Sequence, residues 1–199
     1  MVRNKRYHHG DLRQTLVVQA LGLLEEGGIE GLSLRKIAAR AGVSHAAPDH
    51  HFPTLRHLLN GLATEGFRRF GASMRSEMQA SPPAPAEQLR AATRGYLNFA
   101  VGQPHLFRLM FSADRLDWSD AELGAAATGS RGLLSEICRP VAAIRGVDTP
   151  EGRASIEQLV WSQIHGYSHL VIDGKFPLGE EGPCEPPAAL LDLAGLLLP

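Results

Sequence analysis

The sequence predicts an all-α fold, an N-terminal three-helix bundle followed by a larger helical domain. Three observations predict it. Apolar residues recur at the three-to-four-residue spacing of a helix face through nearly the whole chain, without sustained strand alternation. The 199 residues are 44% hydrophobic, enough to bury a core in one domain or two small ones. Thirteen Pro and 21 Gly are somewhat many for a helical protein and predict clear punctuation between the runs.

The elements follow in order. Leu12, Leu16, Ala20, Leu23 and Leu24 form a first stripe, with Asp11 and Gln14 placed as a capping box and Gly27-Gly28 as the stop. Ser33 is placed to cap a short helix over 34–41, and Gly42 to end it. Ser44 is placed to cap another short helix over 45–51, before Pro53-Thr54 breaks the chain. A long helix then carries Leu55, Leu58, Leu59, Leu62, Phe67, Phe70, Met74 and Met78 on its apolar side. Ser81-Pro82-Pro83-Ala84-Pro85 is a linker. Helices are expected over 86–101 and over 120–144, the latter with a bend near Pro140, and a short apolar segment at 106–111 lies between them. Thr149-Pro150 starts a helix that runs to about 173, and a last one spans 187–198.

Several function classes drop out. Cys138 and Cys184 form no paired-cysteine motif, which fits a reducing cytoplasm and not a thiolate metal cage. The chain carries no membrane-length apolar run and no signal-peptide pattern, so a cytoplasmic protein without a membrane partner is expected. Nucleophile-elbow, phosphate-loop, zinc-protease and dinucleotide motifs are absent, so neither catalysis nor a cofactor is expected. His45, His50, His51 and His57 lack regular ligand spacing, so no metal site is assigned.

Charge is unevenly spread. Residues 1–57 hold eight Lys and Arg against five Asp and Glu, with six of the nine His, whereas the rest of the chain is net acidic. A basic head on an acidic body suits a polyanionic partner for the head alone, although a solvated charged face has the same composition. Within the head, residues 33–44 read as two short helices meeting at a tight turn: Ala38 is small where the helices approach, Gly42 takes the turn, and Ile37 and Val43 point inward. This is a helix-turn-helix pattern whose second helix can enter a major groove, with an ordinary helical hairpin as the alternative.

The local sequence goes further. Ile37-Ala38-x-x-Ala41-Gly42-Val43-Ser44, His51-Phe52, Leu58-Leu59 and the earlier run Tyr7-His8-His9-Gly10-Asp11-Leu12-Arg13 resemble the DNA-binding head of the tetracycline-repressor (TetR) family. Trp161-x-x-x-His165-Gly166 resembles the signature of one C-terminal subclass of that family. The resemblance implies a homodimeric transcriptional regulator, usually a repressor, whose affinity for double-stranded DNA is weakened by a small effector. It divides the chain into a DNA-binding domain, 1–53, and a ligand-binding and dimerisation domain, 54–199. The alternative is a helical protein-binding adaptor, or a small-molecule-binding protein whose DNA binding is weak or lost.

Roles can be assigned on this frame. Arg3, Lys5 and Arg6 make an arm that neutralises phosphates or enters a minor groove, or else stays a solvated tail. Ser33, Arg35 and Lys36 begin the second helix, where donors meet phosphate. Ser44, His45, Ala46 and Asp49 face the groove: His45 can donate to a base acceptor and Ala46 can touch a thymine methyl. His50 or His51 reaches the backbone, and Phe52 is core. Two positions depart from the family pattern, which usually has Tyr at Asp49 and often Lys at Leu55; Arg56 and His57 are placed to compensate. Asp49 either weakens phosphate contact, the favoured reading, or accepts from a cytosine amino group. Pro48 removes a helix N–H within the first turns of the recognition helix.

In the body, Tyr96, Phe99, Phe107, Met110, Phe111, Trp161 and His165 lie on helices expected to converge on a small apolar effector, with an ordinary core as the plain alternative. His165 shares a helix face with Gln158, Ser168 and Ile172, and Gly166 permits close helix approach. The other face carries Ile156, Leu159, Val160, Tyr167 and Val171, and the last helix adds Leu190, Leu193 and Leu197. That much apolar surface predicts a two-fold, four-helix dimer interface.

Overall fold

The computed structural model describes residues 9–176, with side chains from residue 12 onward. Among the described residues there are seven α-helices, two short 3₁₀ turns and no strand. The helices are α1 (His9–Gly27), α2 (Leu34–Ala41), α3 (Leu55–Gln79), α4 (Pro85–Gly102), α5 (Pro104–Met110), α6 (Ala121–Ile144) and α7 (Pro150–Ile172). The all-α expectation is met. The basic arm and the last predicted helix lie outside the described residues.

Local chemistry sets most of the helix ends. Ser33 is extended (φ −154°, ψ 149°), and its Oγ accepts from the Lys36 N–H at 3.2 Å. Thr149 does the same for α7, accepting from the Gly152 N–H at 3.1 Å, with Pro150 in the first turn. Asp120 caps α6 by accepting from the Leu123 N–H at 2.9 Å. Gly42 ends α2 in the left-handed region (φ 69°, ψ 29°), where a side chain is disfavoured.

Some local expectations are corrected. α1 already runs from His9, so Asp11 lies inside the helix and not at its cap. Leu55 is exposed, whereas Leu58, Leu59, Leu62, Phe67, Phe70 and Met74 of the same helix are buried. The helix expected over 45–51 is a turn followed by a 3₁₀ turn, Pro48–His50. Pro48 has no N–H to return to Ser44, so the turn opens at the tighter three-residue step, with the Ala47 N–H donating to the Ser44 carbonyl at 3.0 Å; the Pro48 carbonyl then accepts from both the His51 N–H at 2.9 Å and the Phe52 N–H at 2.8 Å. In these bonds Ser44 supplies its carbonyl and not a capping hydroxyl.

Packing divides the chain into two compact units. Among the described residues, the first holds 9–66 together with His105–Gly124, and the second holds Phe67–Pro104 and 125–176. In the first, α1 packs on α2, and Leu16, Leu24, Ile37, Phe52, Leu58 and Leu106 are fully buried. Each such side chain contributes about 1.5–3 kcal/mol of burial. In the second, α4 packs on α7, and Leu89, Ala92, Ile137, Cys138, Val141 and Val160 form the core.

Segment 105–124 is fastened to the first unit by polar contacts as well as apolar ones. The buried Asn60 amide exchanges two bonds with the Asp117 backbone, each 3.0 Å long. Arg56 donates to the Asp114 carbonyl, Arg115 pairs with Glu30, and Arg13 pairs with Glu122. The Leu106 N–H donates to the carboxylate of Glu25, whose pKa burial nevertheless raises.

Candidate nucleic-acid interface and effector region

Ser33 and Gly42 fix the two ends of α2 and aim the turn that follows. Ile37 and Ala38 are buried beneath it, and Val43 is half-buried. Pro48 and Phe52 pin the recognition turn from inside, with the Arg13 guanidinium 5.4 Å above the Phe52 ring. This leaves Arg35, Lys36, Ser44, His45, Ala46, Asp49 and His50 exposed, with Ser33 and His51 half-buried. The predicted DNA set within the described residues is therefore solvent-facing around one turn.

Three basic side chains are already engaged. The Lys36 ammonium donates to the Gly31 carbonyl at 3.1 Å, and Arg56 to the Asp114 carbonyl at 3.1 Å. Arg40 pairs with Glu26 at 2.6 Å and bonds Gln19, so it braces α2 against α1. Thr54 Oγ1 lies 2.8 Å from His57 Nδ1 at the start of α3, a contact sequence reasoning missed although the spacing of three residues is that of a cap. Arg3, Lys5 and Arg6 lie outside the described residues.

The predicted effector set divides between the units. Phe107, Met110 and Phe111 belong to the first, where Phe107 and Met110 are fully buried and Phe111 meets Phe107 edge-on at 5.1 Å. Tyr96, Phe99, Trp161 and His165 belong to the second. There Phe70 joins Tyr96 and Phe99, with ring centroids 4.7 and 5.4 Å apart. Trp161 is 38% exposed, so it stands at the edge of this cluster and not within the core.

Trp161 and His165 are one helical turn apart on α7, and both reach Tyr96 of α4. The Tyr96 hydroxyl bonds Trp161 and lies 2.7 Å from His165 Nδ1. Burial raises the Tyr96 pKa, so the hydroxyl keeps its proton. Burial, with a contribution from His169, lowers His165 from 6.5 to about 4, so the ring is neutral at pH 7. An indole can only donate, so Tyr96 accepts from Trp161, and its own O–H is free to donate to Nδ1 in the tautomer that carries the His165 proton on Nε2. Cys138 is buried and its thiol is pushed up to about 12, which suits core packing and not nucleophilic chemistry.

Residues 16–62 match the family model for "Bacterial regulatory proteins, tetR family", and residues 89–192 match "Tetracyclin repressor-like, C-terminal domain". The chain belongs to the TetR family. It is a DNA-binding transcriptional regulator, as the head pattern implied, and the adaptor alternative is not favoured. Over 44 residues the chain is 46% identical to the HTH-type transcriptional regulator CymR of Pseudomonas putida, a match spanning 22% of either chain. A protein of unknown function from Rhodococcus sp. RHA1 is 29% identical, with 96% of this chain and 95% of that one covered and a TM-score of 0.77. The regulator FadR from Bacillus subtilis, solved in complex with stearoyl-CoA, shares the fold at 16% identity and a TM-score of 0.63, over 92% and 94% of the two chains.

Proposed function

We propose that this TetR-family regulator is a ligand-responsive repressor that binds a palindromic operator as a homodimer in the cytoplasm, and that it acts by binding and not by catalysis. The observation that carries the reading is the recognition turn: Pro48 and Phe52 anchor it from below while Ser44, His45, Ala46, Asp49 and His50 stay exposed together. Residues 1–53 read DNA; Arg3, Lys5 and Arg6 add phosphate or minor-groove contacts. Residues 54–199 bind the effector and the second copy. No helix among the described residues is long and apolar enough to cross a membrane.

Dimerisation is supported by α7. Leu159 and Leu170 are 43% and 42% exposed, with Gly166 between them on the same side. A Cβ on Gly166 would meet nothing within 4 Å among the described residues, so no close approach to this glycine occurs there. The predicted last helix completes the interface. The effector is small and mostly apolar, a reading supported by the aromatic cluster of Phe70, Tyr96 and Phe99. α3 and α6 each begin in one unit and end in the other, so a shift of either helix on effector binding is carried along its backbone to segment 105–124 and the head.

The test is protection of the DNA flanking the protein's own coding sequence. Protection is expected from the full chain, and loss of it on deleting residues 1–6 or on replacing Ser44, His45 and Ala46. Leu159→Glu with Leu170→Glu is expected to give a monomer by light scattering and to abolish protection of a two-half-site operator. A monomeric parent would overturn the dimer.

A further inference from the structure

Ser168 is fully buried on α7, and its hydroxyl has no hydrogen-bond partner among the described residues. Among the described residues, Glu25 Oε1 in the first unit is the other buried side-chain atom without a partner, whereas the remaining buried hydroxyls and amide are satisfied. Thr64, Thr93 and Ser130 donate to carbonyls of their own helices, and Asn60 bonds the Asp117 backbone. A buried helical hydroxyl normally takes that same local route. Ser168 does not take it, so the fold carries the desolvation of a hydroxyl with nothing in return.

Its surroundings indicate what would pair with it. Helical spacing puts Ser168 on one stripe with Trp161, His165 and Ile172, on the border between the buried face of α7 and the Trp161–Tyr96–His165 relay. The buried side chains of α7 are Val160, Ile164, Tyr167, Ser168 and Val171. Those of α4, packed against it, include Leu89, Thr93, Tyr96, Leu97 and Phe99, and neither helix buries a charged group. A carboxylate or ammonium brought to Ser168 would have no countercharge among them, and a buried unpaired charge is expensive.

We infer that Ser168 is the polar contact of the effector site, and that the effector is an uncharged, mostly apolar molecule carrying one hydroxyl or carbonyl oxygen. This rests on the ligand-responsive reading above and narrows it to a chemical class. A Ser168 hydroxyl serves either oxygen, donating to a carbonyl or exchanging with an alcohol.

Calorimetric titration of the full-length protein with octanol, octan-2-one, octanoate and octylamine tests this. The two neutral probes are expected to bind about tenfold tighter than the two ions. Ser168→Ala should weaken the neutral probes several-fold and leave the ions unchanged, and Ser168→Thr should restore them. Unfolding of the unliganded variants checks that each is folded, and Ser168→Ala is expected to melt no lower than the parent. Octanoate or octylamine binding as tightly as octanol would overturn the inference. So would neutral-probe affinities indifferent to Ser168→Ala, or no neutral probe binding at all. DNA protection is read on the same samples. Intact protection with probes indifferent to Ser168 counts against this inference alone, and lost protection in the parent counts against the repressor reading.

Discussion

The Tyr96 hydroxyl of α4 and Nδ1 of His165 on α7 stand 2.7 Å apart, and Trp161 bonds the same hydroxyl from one turn earlier. The Trp-x-x-x-His spacing thereby acts as a two-point clamp that fastens α7 to α4. Tyr96→Phe keeps the ring contact with Phe70 but leaves the Trp161 N–H and the His165 nitrogen without their shared partner. A loss of about 1–3 kcal/mol is expected, measured by urea unfolding. An unchanged midpoint would mean that the clamp adds nothing to packing.

His165 makes stability depend on pH. Burial holds its folded pKa near 4, against 6.5 for a free histidine. Below pH 6.5 the unfolded chain takes up a proton that the folded chain refuses, so stability falls as pH drops from about 6.5 towards 4 and is flat above. Solvent at this half-buried site screens part of the effect, leaving on the order of 1–2 kcal/mol. His165→Asn keeps an acceptor near Tyr96 and removes the titration. The gap between the two proteins' unfolding curves should narrow or widen only within that window; a gap constant from pH 7 to pH 4 would contradict the assignment.

Sequence reasoning reached what local chemistry dictates. Ser33, Gly42, Thr149 and Pro150 each act on a neighbour within four residues, so α2 and the start of α7 were legible to the residue. It misread 45–51, because a serine-capped run looks helical until Pro48 is charged with two missing features, an N–H and room for a regular turn. The exposure of Ser44, His45, Ala46, Asp49 and His50 accords with the family pattern, and their contact with DNA is the reading proposed above. The fastening of 105–124 to the head was not legible: Asn60 and Asp117 lie 57 residues apart, and Glu30 and Arg115 85 apart, with no periodic signal linking them. Ser168 appeared only as a polar residue on the His165 face, because an unsatisfied hydroxyl is a property of its surroundings.

Ser33 caps α2 in the folded head, and in the proposed DNA complex it would also donate to phosphate. Ser33→Ala is expected to cost about 1 kcal/mol of stability and to weaken DNA binding. Ser33→Asp restores an acceptor for the Lys36 N–H and favours the positive end of α2, so stability should return. DNA binding should not return, because the new carboxylate faces phosphate. Thermal melts and DNA titrations on the same pair separate the uses; recovery of both by Ser33→Asp would place Ser33 away from the backbone.

Gly66 is where α3 and α5 approach within the first unit. A Cβ there would stand 2.6 Å from Met110 Sδ, 2.8 Å from its Cγ and 3.1 Å from Leu106 Cδ1. Both neighbours are fully buried and have little room to move. Gly66→Ala gains roughly 1 kcal/mol of helix propensity but meets overpacking of about 1–3 kcal/mol, so a net loss near 1 kcal/mol is expected. Adding Met110→Val shortens the side chain and should recover part of it. A stabilised Gly66→Ala would show that the glycine softens the helix and does not admit Met110.

Asp49 puts an anion on the exposed recognition turn, in the negative potential of the DNA, where the family pattern usually has Tyr. If it faces phosphate, it is a weak point, and binding leans on the arm and on the start of α2. Asp49→Tyr then removes a repulsion and adds a hydroxyl donor, neither of which reads sequence. Binding should tighten several-fold on operator and scrambled duplexes alike, more at low salt than at high, because screening already suppresses the repulsion. Asp49→Asn removes the charge alone and should give a smaller gain of the same kind. If instead Asp49 accepts from a cytosine amino group, both variants lose on the order of 1–3 kcal/mol on the operator and nothing on the scrambled duplex. The 3₁₀ turn favours the first outcome: Asp49 and His50 sit beyond Pro48 on its short second half, whereas His45 and Ala46 precede it. Titrations of the three proteins on both duplexes at two salt concentrations decide between them, and an Asp49→Tyr protein no tighter on either duplex rules out the phosphate-facing position.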